Sequence, residues 1–487
     1  MKKSNVQAVI FDLDDTLVST GSLARFRESN DKEGIHDEIH KSHVFNPVED
    51  MLREIKHRGV GLALVSNSPS WYVEELLDFH DLQFFDVKIT YDDVGPSGIK
   101  PSPKGILLAL EHLGLPSPCN AIYIGDKDID FEAAYYANVK PVAPSWATTH
   151  PINQVPAAIL NSEHLISYLD DYDKISLIAD RTALKRTFEF DKDQLNFIPL
   201  NERGQVTALD RSKIRLIALG RYFSQGSTLT ANYHEAHQLS KDIFAKELSE
   251  TYVIPQYYVS LMSKVIESLP LYVFNDDHIA FDIITVIPSK KGKNTRLENF
   301  LKRIEKTLNS SSEFITDLFE FHDGAKSLKT LGGYEKRIDE LKQNLTIRQK
   351  YLNALGGKSI LVIDDVLTTG ASFGRAFELL DTHNASFSMG VCLAKTVSVE
   401  EKLGLCPDCN RILRINTNKN TGIHFIGCTG FFETPQCKYH KSIKLGTCPE
   451  CGENLVKRYN RADKNYFLGC EGYARNRCKY TKECDEI

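Results

Sequence analysis

Three clusters in this chain of 487 residues have residue types and spacing suited to chemistry. The first is FDLDDTL, in which Asp12, Asp14 and Thr16 stand at alternate positions directly after an apolar run. Alternate residues of an extended chain share a face, so the acidic groups converge where the chain leaves a sheet, and the carboxyl end of the strands is where α/β sites form. Ser66, Lys100 in GIKPSP, and Asp126 and Asp130 in GDKDID follow in order. The second cluster is SILVIDDVLTTGAS (359–372), an apolar strand, the acidic pair Asp364-Asp365 and a Thr-Thr-Gly turn opening a helix. Such a turn offers backbone N–H groups to a phosphate, with Thr368, Thr369 and Ser372 adding hydroxyls around Gly370. The third is a cysteine repeat: Cys406, Cys409, Cys428 and Cys437 are echoed 41 or 42 positions later by Cys448, Cys451, Cys470 and Cys478. Paired C-x-x-C thiolates in a module of ~40 residues make a closed tetrahedral Zn²⁺ site, without which so small a core does not fold.

The elements that must position these groups alternate along the chain. VQAVIFDLD, GVGLALVSN, FFDVKITYD, NAIYIGD and KPVAPSW are β-rich runs separated by helical stretches, the pattern of a doubly wound parallel sheet over residues 1–150. Residues 151–275 show no clean periodicity and read as a linker or accessory region, or as a segment that completes the next domain. Alternation resumes over 276–400, with strands expected at 278–289, 359–366 and 386–397 and a long polar helical stretch at 295–353. Two small repeats, 401–445 and 446–487, close the chain. The expected fold class is therefore α/β and multidomain, with two zinc modules at the end.

Composition narrows the function classes. Hydrophobic residues at 42% and charged residues at 25% are ordinary for globular chains, and no apolar run reaches the ~20 residues of a membrane span. MKKSN leads straight into a strand-like segment without the apolar core of a signal peptide, and nine of eleven cysteines fall after residue 400, most of them in metal-ligand spacing, so a reducing, cytoplasmic location is expected. The net charge of −6 conceals a basic tail, with 14 Lys/Arg against 9 Asp/Glu from Cys406 onward.

Taken together, Asp12, Asp14, Ser66, Lys100, Asp126 and Asp130 resemble the motifs of the haloacid dehalogenase superfamily, whose Rossmann-like domain the first 150 residues would form. The resemblance implies that Asp12 attacks phosphorus, that Asp14 protonates the leaving oxygen and then activates water, and that Ser66 and Lys100 hold the phosphoryl group. It further implies Mg²⁺ held by Asp12, Asp126 and the Asp14 carbonyl, with Asp130 in support. An aspartate at position 14 marks phosphatases and mutases in that superfamily. Asp15 reads as local structure. Only about 30 residues, Val18 to Asn46, precede the next helix, too few for a full helical cap, so an open site for a bulky phosphomonoester such as a nucleic-acid end is one expectation.

The 359–372 segment is similar to the phosphoribosyl pyrophosphate motif of type I phosphoribosyltransferases, closest to the ComF-like branch. That likeness implies Asp364 and Asp365 on ribose hydroxyls, residues 368–372 on a 5′-phosphate, and phosphoribosyl pyrophosphate as ligand or substrate. Lys290, Lys291, Lys293 and Arg296 stand where that family carries its pyrophosphate loop; a solvated loop is the other reading. The cysteine repeats resemble the zinc ribbons of type IA topoisomerases. Phe425, Phe431, Phe432, Tyr466, Phe467 and Tyr473 alternate there with Arg and Lys, as on a surface that stacks single-stranded bases, although the same rings could form the small cores. Cys484 is a competing ligand that fits the repeat less well, and Cys119 and Cys392 read as buried thiols. Two functions follow: a phosphatase brought to nucleic acid by its ribbons, in repair or stress response, or a two-step synthesis of a nucleoside-like metabolite with ribbons docking a protein partner.

Overall fold

The computed structural model describes residues 5–483 except 97, 117, 148–150, 189–195, 208–213, 277, 326–333, 400–405, 410–412, 419, 433–434, 461, 464 and 474–476. Cys484 lies outside the described residues, as does the side chain of Phe432. The chain divides into two compact units, residues 1–223 with 235–397 and residues 224–234 with 398–487.

The first sheet of the larger unit has six parallel strands in the order Val87–Ile89, Gly61–Val65, Ala8–Phe11, Ala121–Ile124, Lys140–Pro144 and Ala158–Leu160. Its central strand AVIF is fully buried, as a parallel strand covered on both faces must be. One face packs Val9 and Phe11 under the helices Val48–His57 and Ser70–Phe79, and the other packs Ala8 and Ile10 under Lys104–His112 and Asp128–Tyr136. The helix Val48–His57 shows the cause in its spacing: Val48, Met51, Leu52 and Ile55 recur on one face and are buried, while Glu49 and Arg53 pair at 2.6 Å on the other.

The second sheet runs Glu313–Ile315, Ile283–Val286, Ser359–Leu367, Phe387–Val397, Leu216–Ala218 and Ile198–Leu200, with Arg221–Phe223 continuing beside Phe387–Val397. All pairs are parallel except the last, Leu216–Ala218 with Ile198–Leu200. The long strands SILVIDDVL and FSMGVCLAKTV lie at its centre.

Residues 151–275, expected to link domains, serve as an accessory region or complete the next domain, supply strands to both sheets. Ala158–Leu160 is the sixth strand of the first, and Val6 N–H donates to the Leu169 carbonyl at 2.8 Å. Ile198–Leu200, Leu216–Ala218 and Arg221–Phe223 belong to the second, covered by the helices Ile178–Lys185, Gln238–Leu248 and Gln256–Phe274. Strands of three residues carry too little periodicity to be read from sequence. The 295–353 stretch likewise resolves into helices Arg296–Thr307 and Tyr334–Asn344, the sheet strand Glu313–Ile315 and a separate antiparallel pair, Phe319–Phe321 with Leu345–Ile347. The strand expected over 278–289 covers only Ile283–Val286; Asp282 ahead of it accepts from the Ser359 amide at 2.8 Å and hydroxyl at 2.9 Å.

In the smaller unit each cysteine repeat forms an antiparallel sheet. The first has Leu413–Thr417, His424–Cys428 and His440–Ser442; the second has Lys444–Thr447, Asn454–Asn460, Asn465–Cys470 and Thr481–Glu483. Among the described residues no helix is long and apolar enough to cross a membrane.

Candidate active site and metal centres

Asp12 stands directly after the central strand, its amide donating to the Ile124 carbonyl at 2.9 Å. The neighbouring strand Ala121–Ile124 delivers Asp126 beside it through Gly125, where a Cβ would lie 2.6 Å from Asp130. That close approach brings Asp12, Asp126 and Asp130 together with ligand oxygens within 4.8 Å of one another, all three buried. Lys100 closes the cluster: its Nζ lies 2.6 Å from Asp12 Oδ1, 2.7 Å from Asp130 Oδ1 and 2.9 Å from the Tyr123 hydroxyl. The lysine is aimed by Asn67, which accepts from the Lys100 amide at 2.8 Å and donates to its carbonyl at 3.2 Å.

The electrostatics are those of too much negative charge in too little water. Burial, then the neighbouring carboxylates Asp130, Asp126 and Asp14, push Asp12 up to about 8 despite Lys100. Burial and Asp130 raise Asp126 to about 7. Lys100 is driven the other way: burial would lower it, but Asp12 and Asp130 hold it well above its ordinary value. Asp126 Oδ1 accepts from Thr16 Oγ1 at 3.1 Å, while buried Oδ2 has no hydrogen-bond partner among the described residues; the Lys127 ammonium is 3.7 Å away. An orphan carboxylate oxygen within a set of three fits a hard divalent cation, which takes oxygen ligands and offsets this repulsion.

Asp14 is engaged elsewhere. Its Oδ1 meets Arg27 Nη1 at 2.6 Å, Thr20 Oγ1 at 2.7 Å and the Tyr72 hydroxyl at 2.8 Å, and Oδ2 accepts from Ser68 Oγ at 2.8 Å. Arg27 comes from the short insert of helices Ala24–Glu28 and Lys32–Glu38. Ser66 is buried, its hydroxyl accepting from the Ser68 amide at 3.0 Å. Asp15 takes a left-handed φ of 59° and accepts from the Thr20 amide at 3.1 Å, a turn residue. Sequence reasoning missed Arg27, Ser68, Tyr72 and Tyr123; only Ser68, two residues past Ser66, carried a positional hint.

In the second sheet, Asp364 and Asp365 are near the end of Ser359–Leu367 and Gly370 caps the helix Ala371–Thr382 with φ 80°. Asp365 Oδ2 is held by Arg296 Nε at 2.7 Å and Lys246 Nζ at 2.9 Å. Burial would raise Asp365, yet the two cations keep it far below the usual carboxylate range, while burial and Asp365 push Asp364 up to about 7. Thr368 Oγ1 lies 3.2 Å from Thr396 Oγ1, and Lys395 Nζ donates to the Thr368 carbonyl. Thr369 and Ser372 are half-buried beside them. Of the four basic residues on the 290–296 loop, Arg296 reaches the acidic pair. Lys290 lies over the Phe321 ring at 5.1 Å and Lys291 pairs with Asp323 at 3.1 Å, and no contact to the pair is found for Lys293 among the described residues. Lys246, from the helix Gln238–Leu248, carried no sequence signal.

The eight cysteines form two sets of four. Sγ···Sγ distances are 3.6 Å for Cys406–Cys437 and 3.3 Å for Cys409–Cys428, and 3.7 Å for Cys448–Cys478 and 3.3 Å for Cys451–Cys470. These are near the ~3.8 Å edge of a Zn–thiolate tetrahedron and far above the ~2.0 Å of a disulfide. Gly430 and Gly472 amides donate to Cys428 and Cys470 Sγ at 3.3 Å each, the same support in both modules. Phe431, Tyr466 and Tyr473 are exposed and Phe425 and Phe467 half-buried, whereas Leu413, Ile426, Leu455 and Leu468 pack against the cysteines. Lys457 Nζ lies 4.6 Å over the Tyr466 ring. Cys392 is buried and Cys119 half-buried.

Residues 23–143 match the haloacid dehalogenase-like hydrolase family, and residues 403–446 and 445–487 each match the topoisomerase DNA binding C4 zinc finger. The chain thus carries a haloacid dehalogenase-like hydrolase domain followed, at its far end, by tandem topoisomerase-type C4 zinc ribbons. A phosphoglycolate phosphatase of Aliivibrio fischeri is 31% identical over 131 residues, 26% of this chain and 57% of the relative. The phosphoglycolate phosphatase of Escherichia coli K12 is 33% identical over 124 residues, 25% of this chain and 46% of the relative. The chain therefore spans about half the length of these curated relatives. Among solved structures, a HAD-superfamily hydrolase from Ehrlichia chaffeensis aligns with 34% of this chain and 97% of its own at 19% identity, with a TM-score of 0.27.

Proposed function

We propose that this protein is a Mg²⁺-dependent phosphomonoester hydrolase working through an aspartyl-phosphate, held at single-stranded nucleic acid by its ribbons. The observation that carries the hydrolase reading is the buried set Asp12, Asp126 and Asp130 closed by Lys100. A cation on the three carboxylates supplies positive charge against which an anionic nucleophile can approach a phosphate. Asp12 attacks phosphorus and the ester P–O bond breaks, with Asp14 giving its proton to the leaving oxygen. Asp14 then takes a proton from water, which attacks the acyl phosphate, and inorganic phosphate leaves with Asp12 restored. Lys100 holds the phosphoryl oxygens and Ser66 adds a hydroxyl. For the ribbons, the exposed rings Phe431, Tyr466 and Tyr473 support base stacking.

A second reading concerns the substrate. Arg27 covers Asp14, so the site is less open than the short insert implies, and its guanidinium is suited to pair a second anionic group on a small ester. The relatives named phosphoglycolate phosphatase favour the same direction. The second sheet is assigned phosphoribosyl pyrophosphate as ligand, supported by the Asp364-Asp365 pair beside Arg296, Lys246 and the Gly370 helix cap. If that domain transfers ribose 5-phosphate, the hydrolase would trim the product, the two-step alternative.

One panel tests these readings: phosphate release by wild type, Asp12→Asn and Arg27→Ala from phosphorylated oligonucleotides, nucleoside monophosphates, ribose 5-phosphate and small phosphorylated acids. Release confined to oligonucleotide ends supports nucleic-acid processing. Release from small acids, with KM raised in Arg27→Ala, supports the second reading. Release that survives Asp12→Asn refutes the site.

A further inference from the structure

The two candidate sites of the larger unit are joined by a short run of hydrogen bonds that ends on a packed backbone contact. Asp128, in the first turn of the helix that follows Asp126, accepts from the Asn153 amide at 2.8 Å, Asn153 Nδ2 at 2.9 Å and the Gln154 amide at 2.7 Å. Asn153 Oδ1 in turn accepts from Gln205 Nε2 at 3.1 Å, and Ile152 and Val206 exchange backbone hydrogen bonds of 2.9 and 2.8 Å beside it.

Gln205 closes a turn tied by its own side chains: Asn201 Nδ2 donates to Gln205 Oε1 at 3.0 Å, and Asn201 Oδ1 accepts from the Arg203 and Gln205 amides at 3.0 Å each. The far side of that turn lies on the Thr369–Gly370 backbone. A Cβ on Gly370 would stand 2.7 Å from the Glu202 carbonyl oxygen and 3.1 Å from the Gly204 amide nitrogen; one on Gly204 would stand 2.8 Å from Leu367 Cδ2. Both glycines have positive φ, 71° and 80°, so two backbones meet where no side chain fits. A stiff turn in van der Waals contact with one loop and hydrogen-bonded to the other transmits displacement, because packed contacts do not deform freely.

We propose that Asn153 and Gln205 are positioning residues that tie the Asp126–Asp130 segment of the hydrolase site to the Leu367–Gly370 turn of the second sheet, so that a cation bound at the first stiffens the second. The transmitted effect rests on the reading that Asp12, Asp126 and Asp130 hold a divalent cation; the tie itself does not.

Hydrogen exchange of the full chain tests both parts. Without metal, Gln205→Ala and the shape-preserving Gln205→Glu each remove the donor to Asn153, and exchange in peptides 124–132 and 366–374 rises together, about 2- to 10-fold, while 48–57 is unchanged. A rise confined to 198–207 overturns the tie. With Mg²⁺, exchange slows in 124–132 and 366–374 of the wild type, and Asp126→Asn abolishes both effects. Slowing of 366–374 that persists in Asp126→Asn means the cation acts at Asp364-Asp365 directly and overturns the transmitted effect. Mg²⁺ that leaves 124–132 unchanged overturns the cation reading and the transmitted effect with it, while the metal-free comparison still decides the tie.

Discussion

Asp12 and Asp126 are raised in the folded protein because burial and neighbouring carboxylates disfavour their charged forms. A carboxyl raised on folding contributes stability that is present at low pH and lost as pH climbs through its folded value. The metal-free protein should therefore lose stability as pH rises from about 4 to about 8, and a cation that neutralises the cluster should restore it. The expected result is a Mg²⁺-induced rise in Tm that is larger at pH 8 than at pH 5, read by thermal denaturation with and without chelator. Asp12→Asn removes the proposed nucleophile and should lower phosphate release by ~1000-fold or more, with the fold intact by circular dichroism.

Among the elements, the helix Ile178–Lys185 and strand Arg221–Phe223 are joined by a buried pair, Arg221 Nε to Asp180 Oδ2 at 2.8 Å. Burial would raise Asp180, but Arg221 and His237 bring it down to about 2. Because its folded value is depressed, this pair contributes stability above about pH 4 that is lost as pH falls toward about 2. Asp180→Ala leaves a buried guanidinium uncompensated and should cost about 3–5 kcal/mol in chemical denaturation. The ribbons are separate elements with one ligand set each, so Cys406→Ser and Cys448→Ser should each reduce bound zinc from two to one per chain, by elemental analysis.

For the molecule as a whole, a basic tail with exposed rings predicts binding to single-stranded DNA whose affinity falls steeply with salt, about 0.7 log units per log of salt for each phosphate contacted. Tyr473→Ala should weaken that binding by ~1 kcal/mol or more, measured by fluorescence anisotropy, with hydrolysis of small esters unchanged. Affinity that barely responds to salt would assign the ribbons to protein docking instead.

The sequence by itself determined what depends on local spacing. The Asp-x-Asp after an apolar strand, the Gly-Asp loop and the acidic pair before Thr-Thr-Gly stand at strand ends, where a period of two and a turn suffice to place them. The cysteine sets were legible for the same reason, since each C-x-x-C turn brings two thiolates together before the rest folds. Tertiary structure alone decided which side chains cross between elements. Arg27 on Asp14, Lys246 on Asp365, and Gln205 on Asn153 join groups 13, 119 and 52 positions apart, and no periodicity relates them. The same holds for residues 151–275: strands of three residues acquire their identity from the sheets that accept them, because hydrogen bonds to neighbouring strands, rather than their own propensity, hold them extended.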